Sequence, residues 1–185
     1  MDLIKLLEEN PIIAAVKNER ELDIALDSDV QVIFVLFGDI LNIKDTSEKI
    51  NSKNKIGIVH IDLVDGITNR EVGIKYLKKE TQFKGVISTK PQVIKYAKAY
   101  DLLAIQRVFI FDTLSLNNAI RHLGEACDAI EVLPGVIPKV IEKLAEKSNK
   151  PIVAGGLIES KEEIITALKS GATCVSTTKE EIWAM

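Results

Sequence analysis

The sequence predicts an α/β fold, a compact (β/α)8 TIM-type barrel that forms a single domain over residues 1–185. Eight short β-branched apolar runs alternate with segments of helical spacing, and parallel strands need such crossover helices. Each strand–helix unit has about 23 residues, whereas an open doubly wound sheet usually has five or six strands. No linker or low-complexity segment divides the chain. These observations together favour a closed barrel with short loops.

The individual elements follow from the apolar pattern in order along the chain. A short leading helix is predicted over 2–9, a weak helix over 41–53 and a short final helix over 179–184. The predicted strands are 11–16, 30–37, 56–63, 84–88, 102–110, 129–133, 151–155 and 172–177. Helix starts are marked by capping-box spacing and by first-turn prolines. The capping pairs are Thr68–Glu71, Ser160–Glu163 and Thr178–Glu181, and the prolines are Pro91 and Pro138.

The bulk composition excludes several classes of protein. Charged residues make up 28% of the chain and apolar residues 46%, a balance that argues against disorder. No apolar run approaches the roughly 20 residues of a membrane helix, and the first residues lack the pattern of a signal peptide. Cys127 and Cys174 lack metal-ligand spacing, so we expect two core thiols, no metal site and a cytoplasmic location.

A phosphate site is predicted after the seventh and eighth strands. In such barrels, ligands bind at the carboxyl ends of the strands, and the loops after strands seven and eight often hold a phosphate. Gly155 and Gly156 follow the seventh strand, and Ser176 and Thr177 end the eighth, just before the short final helix. Backbone N–H groups and hydroxyls there would bind an anion. The alternatives are a tight turn for the glycines and a helix cap for the hydroxyls.

Further polar residues fall at the ends of other strands and would surround the same mouth. Lys17, His60, Asp62 and Glu131 would suffice for acid–base or Schiff-base chemistry. Alternation along the third strand predicts that His60 and Asp62 share a face. Structural alternatives exist: His60 fits a core histidine, Lys17 a charged strand end, and Glu131 with Arg107 an ion pair between neighbouring strands.

A basic surface is predicted on the third and fourth helical segments. Seven lysines against one acid, Glu80, give the segment between residues 75 and 98 a net charge of +6 in a chain of −3. Tyrosines 76, 96 and 100 lie in or beside it. Lysines with exposed rings would bind single-stranded RNA, whereas composition alone favours a solvated face over packed rings. We call the seven residues the lysine surface: Lys75, Lys78, Lys79, Lys84, Lys90, Lys95 and Lys98.

Motifs at most strand ends resemble, in order, those of the glycerol-3-phosphate-responsive antiterminators, which are bacterial glycerol uptake operon regulatory proteins. The resemblance runs nearly end to end and is weakest over residues 44–55. The motifs are PIIAAVK (11–17), FGDILNI (37–43), HIDLVDG (60–66), GVISTK (85–90), IQRVFIFD (105–112), IEVLPGVIPK (130–139), PIVAGGLI (151–158) and CVSTT (174–178).

The resemblance implies a regulator with no catalytic residues and no cofactor, whose effector ligand is glycerol 3-phosphate. It implies binding to the leader of a messenger RNA of glycerol-metabolism genes, which prevents premature termination. The phosphate would contact Gly155, Gly156, Ser176 and Thr177, and RNA would contact the lysine surface. The glycerol moiety would contact Lys17, Asp39, His60, Asp62, Arg107, Glu131 and Gly135.

Two other functions remain open at this point: a phosphate-substrate barrel enzyme of isomerase or lyase type, and a metabolite sensor that acts through a protein partner. No membrane partner is expected, and assembly into a homo-oligomer is left open. If ligand binding controls RNA binding, we expect loops 64–70 and 88–91 to link the mouth of the barrel to the lysine surface.

Overall fold

Eight parallel strands close into a barrel in sequence order, and the first strand pairs with the eighth. The structure is a computed structural model that describes residues 3–122 and 126–184. The (β/α)8 prediction is confirmed. The strands are β1 Ile12–Val16, β2 Val32–Val35, β3 Ile56–His60, β4 Gly85–Ser88, β5 Leu103–Phe109, β6 Ala129–Leu133, β7 Ile152–Gly155 and β8 Cys174–Thr177.

The helices cover the outside of the barrel, and one extra helix precedes the first strand. They are α1 Leu3–Glu9, α2 Glu19–Asp27, α3 Ile43–Ser52, α4 Glu71–Glu80, α5 Pro91–Ala99, α6 Thr113–His122, α7 Pro138–Lys147, α8 Lys161–Lys169 and α9 Glu180–Trp183. A 3-10 turn, Ile61–Leu63, follows β3. The helix predicted weakly over 41–53 is therefore present, as α3, and it buries Ile43 and Ile50 against the barrel.

Side chains alternate between two separate cores along each strand, as period-two geometry requires. Ile13, Phe34, Ile58 and Ile105 fill the inside of the barrel, and Leu7 from α1 packs with this group. The residues between them on the strands face outward and pack under the helices in a second, larger core. Alternation thus decides which strand residues face the barrel axis. Cys127 and Cys174 are both buried, as expected of core thiols.

The helix starts confirm some of the predicted capping signals and contradict others. Ser160 and Glu163 form a full capping box at α8, and Pro91 and Pro138 occupy first-turn positions. The predicted caps at Thr68 and Thr178 are wrong, because α4 begins after Arg70 and α9 after Lys179, in each case with no side-chain cap. Spacing alone does not tell which residue begins the first turn. No helix in the described ranges is long and apolar enough to cross a membrane.

Candidate functional site at the mouth of the barrel

A layer of polar side chains lies inside the barrel at the carboxyl ends of the strands. We call this end of the barrel the mouth. His60, Arg107, Glu131 and Ser176 each stand two residues beyond an apolar residue that faces the barrel axis, so alternation points them inward too. All four are buried. Three of the predicted ligand contacts from β3, β5 and β6 therefore meet one from β8 inside the barrel.

Glu131 is the centre of this layer. Its carboxylate accepts a hydrogen bond from Arg107 Nε at 2.7 Å and one from Ser176 Oγ at 2.8 Å. Both side chains of the ion pair are at least nine-tenths buried. A buried carboxylate needs such partners to remain charged. Arg107 uses only Nε for this contact, and an arginine has five N–H donors, so its terminal nitrogens have no hydrogen-bond partner among the described residues and can bind a ligand.

The glycine at position 155 makes room for this network. A β-carbon there would lie 2.7 Å from Ser176 Oγ and 2.8 Å from Glu131 Oε1, closer than real contacts allow. Gly155 therefore has a packing role inside the barrel, in addition to its place at the end of β7. Gly135 supports the same region from the loop after β6. Its N–H donates a hydrogen bond to the Gly155 carbonyl at 2.6 Å and so holds that loop against the end of β7.

A cavity of about 240 Å³ opens above the polar layer, and we call it the mouth cavity. Arg107, Glu131, Gly156, Ser176 and Thr177 all line it. The sequence-predicted phosphate residues after β7 and β8 thus lie beside the buried arginine. The cavity is smaller than the ~300–1,000 Å³ of pockets that bind drug-sized molecules, so its size fits a small metabolite.

Two loops meet at the rim of the mouth cavity. Thr177 Oγ1 donates to the Ile158 carbonyl at 2.7 Å and accepts a hydrogen bond from the Lys179 N–H at 3.1 Å, so this hydroxyl joins the loops after β7 and β8. Gly156 and Leu157 adopt φ angles of 74° and 61°. A left-handed conformation is unusual for leucine and stores strain of the kind found at binding sites.

His60 carries a buried nitrogen that forms no hydrogen bond with any described residue. Its side chain lies 3% exposed in the barrel, and Nδ1 has no hydrogen-bond partner in the described ranges. Burial, with a further contribution from the positive charge of Arg107, lowers the pKa of His60 from 6.5 to about 4. The imidazole is therefore neutral near pH 7, with a polar atom available to a ligand.

Asp62 does not share the inward face with His60, contrary to the expectation from alternation. The strand ends at His60, and the 3-10 turn aims the Asp62 carboxylate at the start of the loop after β4. Asp62 accepts hydrogen bonds from Ser88 Oγ and from both the N–H and the hydroxyl of Thr89, each at 2.8 Å. Burial alone would raise the pKa of Asp62, but these hydrogen bonds outweigh it and lower the pKa.

The loops after β3 and β4, which we expected to link the mouth to the lysine surface, are in direct contact. Besides the bonds from Asp62, the amide of Asn69 lies between Asp62 and Lys90. The Asn69 amide nitrogen donates a hydrogen bond to Asp62 Oδ1 at 2.8 Å. In the same orientation, the Asn69 amide oxygen accepts a hydrogen bond from Lys90 Nζ at 2.5 Å. A chain of polar contacts therefore runs from Asp62, just after β3, to Lys90, one member of the lysine surface.

Five of the seven predicted glycerol contacts do not line the mouth cavity, and Lys17 and Asp39 among them have local partners. Lys17 is exposed, with Nζ 3.5 Å from Glu21 Oε1. The Asp39 carboxylate accepts hydrogen bonds from its own loop, from Leu41 N at 2.7 Å and Asn42 Nδ2 at 3.1 Å. The structure thus brings Arg107 and Glu131 together with residues after β7 and on β8 around the cavity, whereas Lys17 and Asp39 do not line it.

All seven residues of the lysine surface are exposed, but the neighbouring rings are not free for stacking. Tyr76, Tyr96 and Tyr100 are half-buried and pack against the outer core. Several of the lysines have partners: Lys75 lies 3.1 Å from Glu71, and Lys98 lies 2.7 Å from Asp128. The surface is basic without exposed aromatic rings, which matches the alternative that composition favoured.

The sequence reasoning missed an aromatic pair at the end of β5. Phe109 and Phe111 are 43% and 83% exposed, and their rings are parallel with centroids 6.1 Å apart. In the sequence they continue the apolar run after Arg107, and the strand predicted over 102–110 includes Phe109 and stops before Phe111. The signal that could have revealed them is their spacing of two and four residues beyond Arg107, at the last residue of β5 and just after it.

The fold and the site define a (β/α)8 barrel with a cavity at its mouth that is lined by Arg107, Glu131 and residues of the last two strand–loop units. The sequence model of the glycerol-3-phosphate responsive antiterminators matches residues 12–183, and the chain belongs to this family. A solved antiterminator regulatory protein of the glycerol uptake operon from Listeria monocytogenes is 33% identical, with a TM-score of 0.89, over 93% of this chain and 94% of that one.

Two further relatives extend the comparison. A glycerol uptake operon antiterminator-related protein from Thermotoga maritima is 30% identical with a TM-score of 0.85, over 95% of this chain and 99% of that one. An uncharacterized protein of Escherichia coli K12, YgcP, is 40% identical over all of this chain and 97% of its own length. A deoxyribose phosphate aldolase from Aeropyrum pernix, 14% identical with a TM-score of 0.66, shares the barrel fold alone.

Proposed function

We propose that the protein is a glycerol-3-phosphate-responsive antiterminator that binds the leader of a messenger RNA for glycerol-metabolism genes in the cytoplasm. Glycerol 3-phosphate is its effector, and no further cofactor takes part. The observation that carries the proposal is the buried arginine of the mouth cavity. Glu131 holds Arg107 at Nε, and the terminal nitrogens remain for an anion beside the loops after β7 and β8.

The phosphate of the effector binds between Arg107 and those two loops. An arginine fork matches the geometry of phosphate oxygens, and backbone N–H groups near Gly156 and Ser176 add donors. The glycerol hydroxyls reach the inner wall, where the Glu131 carboxylate accepts hydrogen bonds and neutral His60 offers Nδ1. Gly155 keeps this wall open, since any side chain there would displace Glu131.

The ligand is sensed without being converted. Schiff-base chemistry needs a lysine amine in the cavity, but the basic side chain among the described lining residues is the guanidinium of Arg107. Lys17, the lysine considered for that role, lies exposed beside Glu21. The aldolase likeness, at 14% identity, concerns the fold and not the site.

A titration of ligands tests the effector site. Glycerol 3-phosphate is expected to bind in calorimetry, whereas glycerol and inorganic phosphate, which each lack half of the contacts, bind far more weakly. Arg107→Lys keeps the charge but loses the fork, so we expect an affinity loss of at least about tenfold. Arg20→Lys, at an exposed arginine paired with Glu180, is the matched control and leaves affinity unchanged.

The regulatory role is tested with a transcript of the leader. The wild-type protein should bind it more tightly in glycerol 3-phosphate than without, and reversing the charges of Lys75, Lys78 and Lys95 should abolish binding and its salt dependence. Equal affinity with and without the effector contradicts the switch. Steady conversion of glycerol 3-phosphate, followed by NMR, contradicts the regulator and favours an enzyme. Retained regulation in the charge-reversed variant favours a protein partner.

A further inference from the structure

A second, larger groove shares Arg107 with the mouth cavity. It has a volume of about 360 Å³ and lies between the loop after β4 and helix α6. Pro91 and Phe109 form apolar walls, and Gln106 and Asn118 contribute amides. Arg107 lines both the groove and the mouth cavity, so one side chain is common to the two. We call this feature the β5 groove.

The apolar side chains around the β5 groove are more exposed than expected for a surface that contacts only water. Phe111, 83% exposed, stands parallel to Phe109, which lines the groove. In the described ranges, every exposed large apolar side chain except Ile165 lies at this end of the barrel, on strand ends, loops or first helical turns. Apolar groups concentrated on one face mark a surface that contacts a partner.

The polar groups of the groove fit the edge of a nucleobase. The Gln106 nitrogen donates to the Thr89 carbonyl at 3.0 Å, and the hydrogen bonds of this side chain among described residues all come from that nitrogen. Its oxygen remains an acceptor. The Asn118 amide is exposed and offers donors and an acceptor. Amide groups beside an aromatic ring are the combination that reads unpaired RNA bases.

Charge around the groove favours a nucleic acid over an apolar protein segment. Pro91, which lines the groove, follows Lys90 directly, so the groove borders the lysine surface. The nearest carboxylate on the same loop, Asp112, accepts a hydrogen bond from Ser115 N at 2.7 Å and caps the start of α6. Phosphates of a strand whose base enters the groove would meet Lys90 first.

We infer that the β5 groove binds an unpaired base of the target RNA, which stacks on Phe109 and Phe111 while its phosphates contact Lys90. This inference rests on the proposed function and names the part of the protein that reads the RNA. It also accounts for control by the effector. Phosphate bound to the terminal nitrogens of Arg107 holds that side chain in place, and Arg107 is the wall that the groove and the mouth cavity have in common.

Variants at Phe111 test the inference, because an 83% exposed ring can be replaced without disturbing the core. The probe is a fluorescently labelled leader transcript with saturating glycerol 3-phosphate. Stacking of one base on an aromatic ring accounts for about 5- to 150-fold in affinity, so Phe111→Ala should weaken binding by that factor. Phe111→Trp retains a stacking surface and should bind within about twofold of the wild type, whereas Phe111→Leu should not.

Ile165→Ala is the matched control, since Ile165 is an apolar side chain 41% exposed on α8, away from the mouth end of the barrel. It should leave RNA affinity unchanged, and all variants should retain the calorimetric affinity for glycerol 3-phosphate. Wild-type affinity in Phe111→Ala overturns the inference, as does equal binding by the leucine and tryptophan variants. A change of oligomeric state in Phe111→Ala, measured by light scattering, also overturns it and assigns the rings to an interface between copies.

These outcomes separate the inference from the proposed function. If the wild-type protein fails to bind the leader at any effector concentration, the regulatory role and the groove assignment both fail. If the wild type binds and responds to glycerol 3-phosphate but Phe111→Ala does the same, the groove assignment alone fails.

Discussion

The buried His60 predicts a specific dependence of stability on pH. Its pKa is about 4 in the folded protein and 6.5 when unfolded, because burial and the charge of Arg107 disfavour the imidazolium. Between these values the unfolded chain binds a proton that the folded chain does not. The free energy of unfolding is therefore undiminished by His60 above about pH 6.5, and it falls progressively as the pH drops toward 4.

The size of the effect follows from the two pKa values. The full difference corresponds to about 3 kcal/mol of unfolding free energy, and about 2 kcal/mol of it falls between pH 7.5 and pH 5.0. The carboxylate of Asp62 near His60 does not interfere, because its pKa lies below 3.8 and it stays ionised in this range.

Urea denaturation at pH 7.5 and 5.0 measures the effect, with His60→Gln as the variant that removes the titrating group. We expect the wild type to lose about 2 kcal/mol more than the variant over this range. His122 is present in both proteins and cancels in the comparison. Parallel losses in the two proteins would refute the reasoning. So would an NMR titration of His60 in a His122→Gln background that gives a pKa of 6 or above.

Three further substitutions test the packing of the mouth. Glu131→Gln removes the partner of buried Arg107 and should cost about 3 kcal/mol of unfolding free energy in urea; an effect under about 1 kcal/mol would contradict the buried pair. Gly155→Ala should lower stability by about 1–3 kcal/mol, and adding Ser176→Ala should restore part of it, since one clash is with Ser176 Oγ. Leu157→Gly relieves a φ of 61° and should raise the thermal midpoint, consistent with a gain of up to about 1 kcal/mol; a lower midpoint would show that the leucine side chain matters more.

Much of the site could be predicted because strand ends are readable from local sequence. Arg107, Glu131 and Ser176 each lie within or at the end of an apolar run, and period-two alternation points each of them toward the barrel axis. Asp62 was misplaced because the pattern does not show where β3 stops and the 3-10 turn begins. The caps expected at Thr68 and Thr178 failed for the same reason, since helix starts shift by a residue or two without changing the apolar spacing.

The sequence by itself determined the number and order of the strand–helix units, since each depends on a local apolar period. It also placed the polar residues at the correct ends of their strands. Only the tertiary structure decided which of these residues meet. Glu131 and Ser176 are 45 positions apart, and they bond because the closed barrel turns both toward one axis. Phe111 is exposed because β5 ends before it. The sequence alone is compatible with a buried or an exposed Phe111, because it does not show where the strand ends.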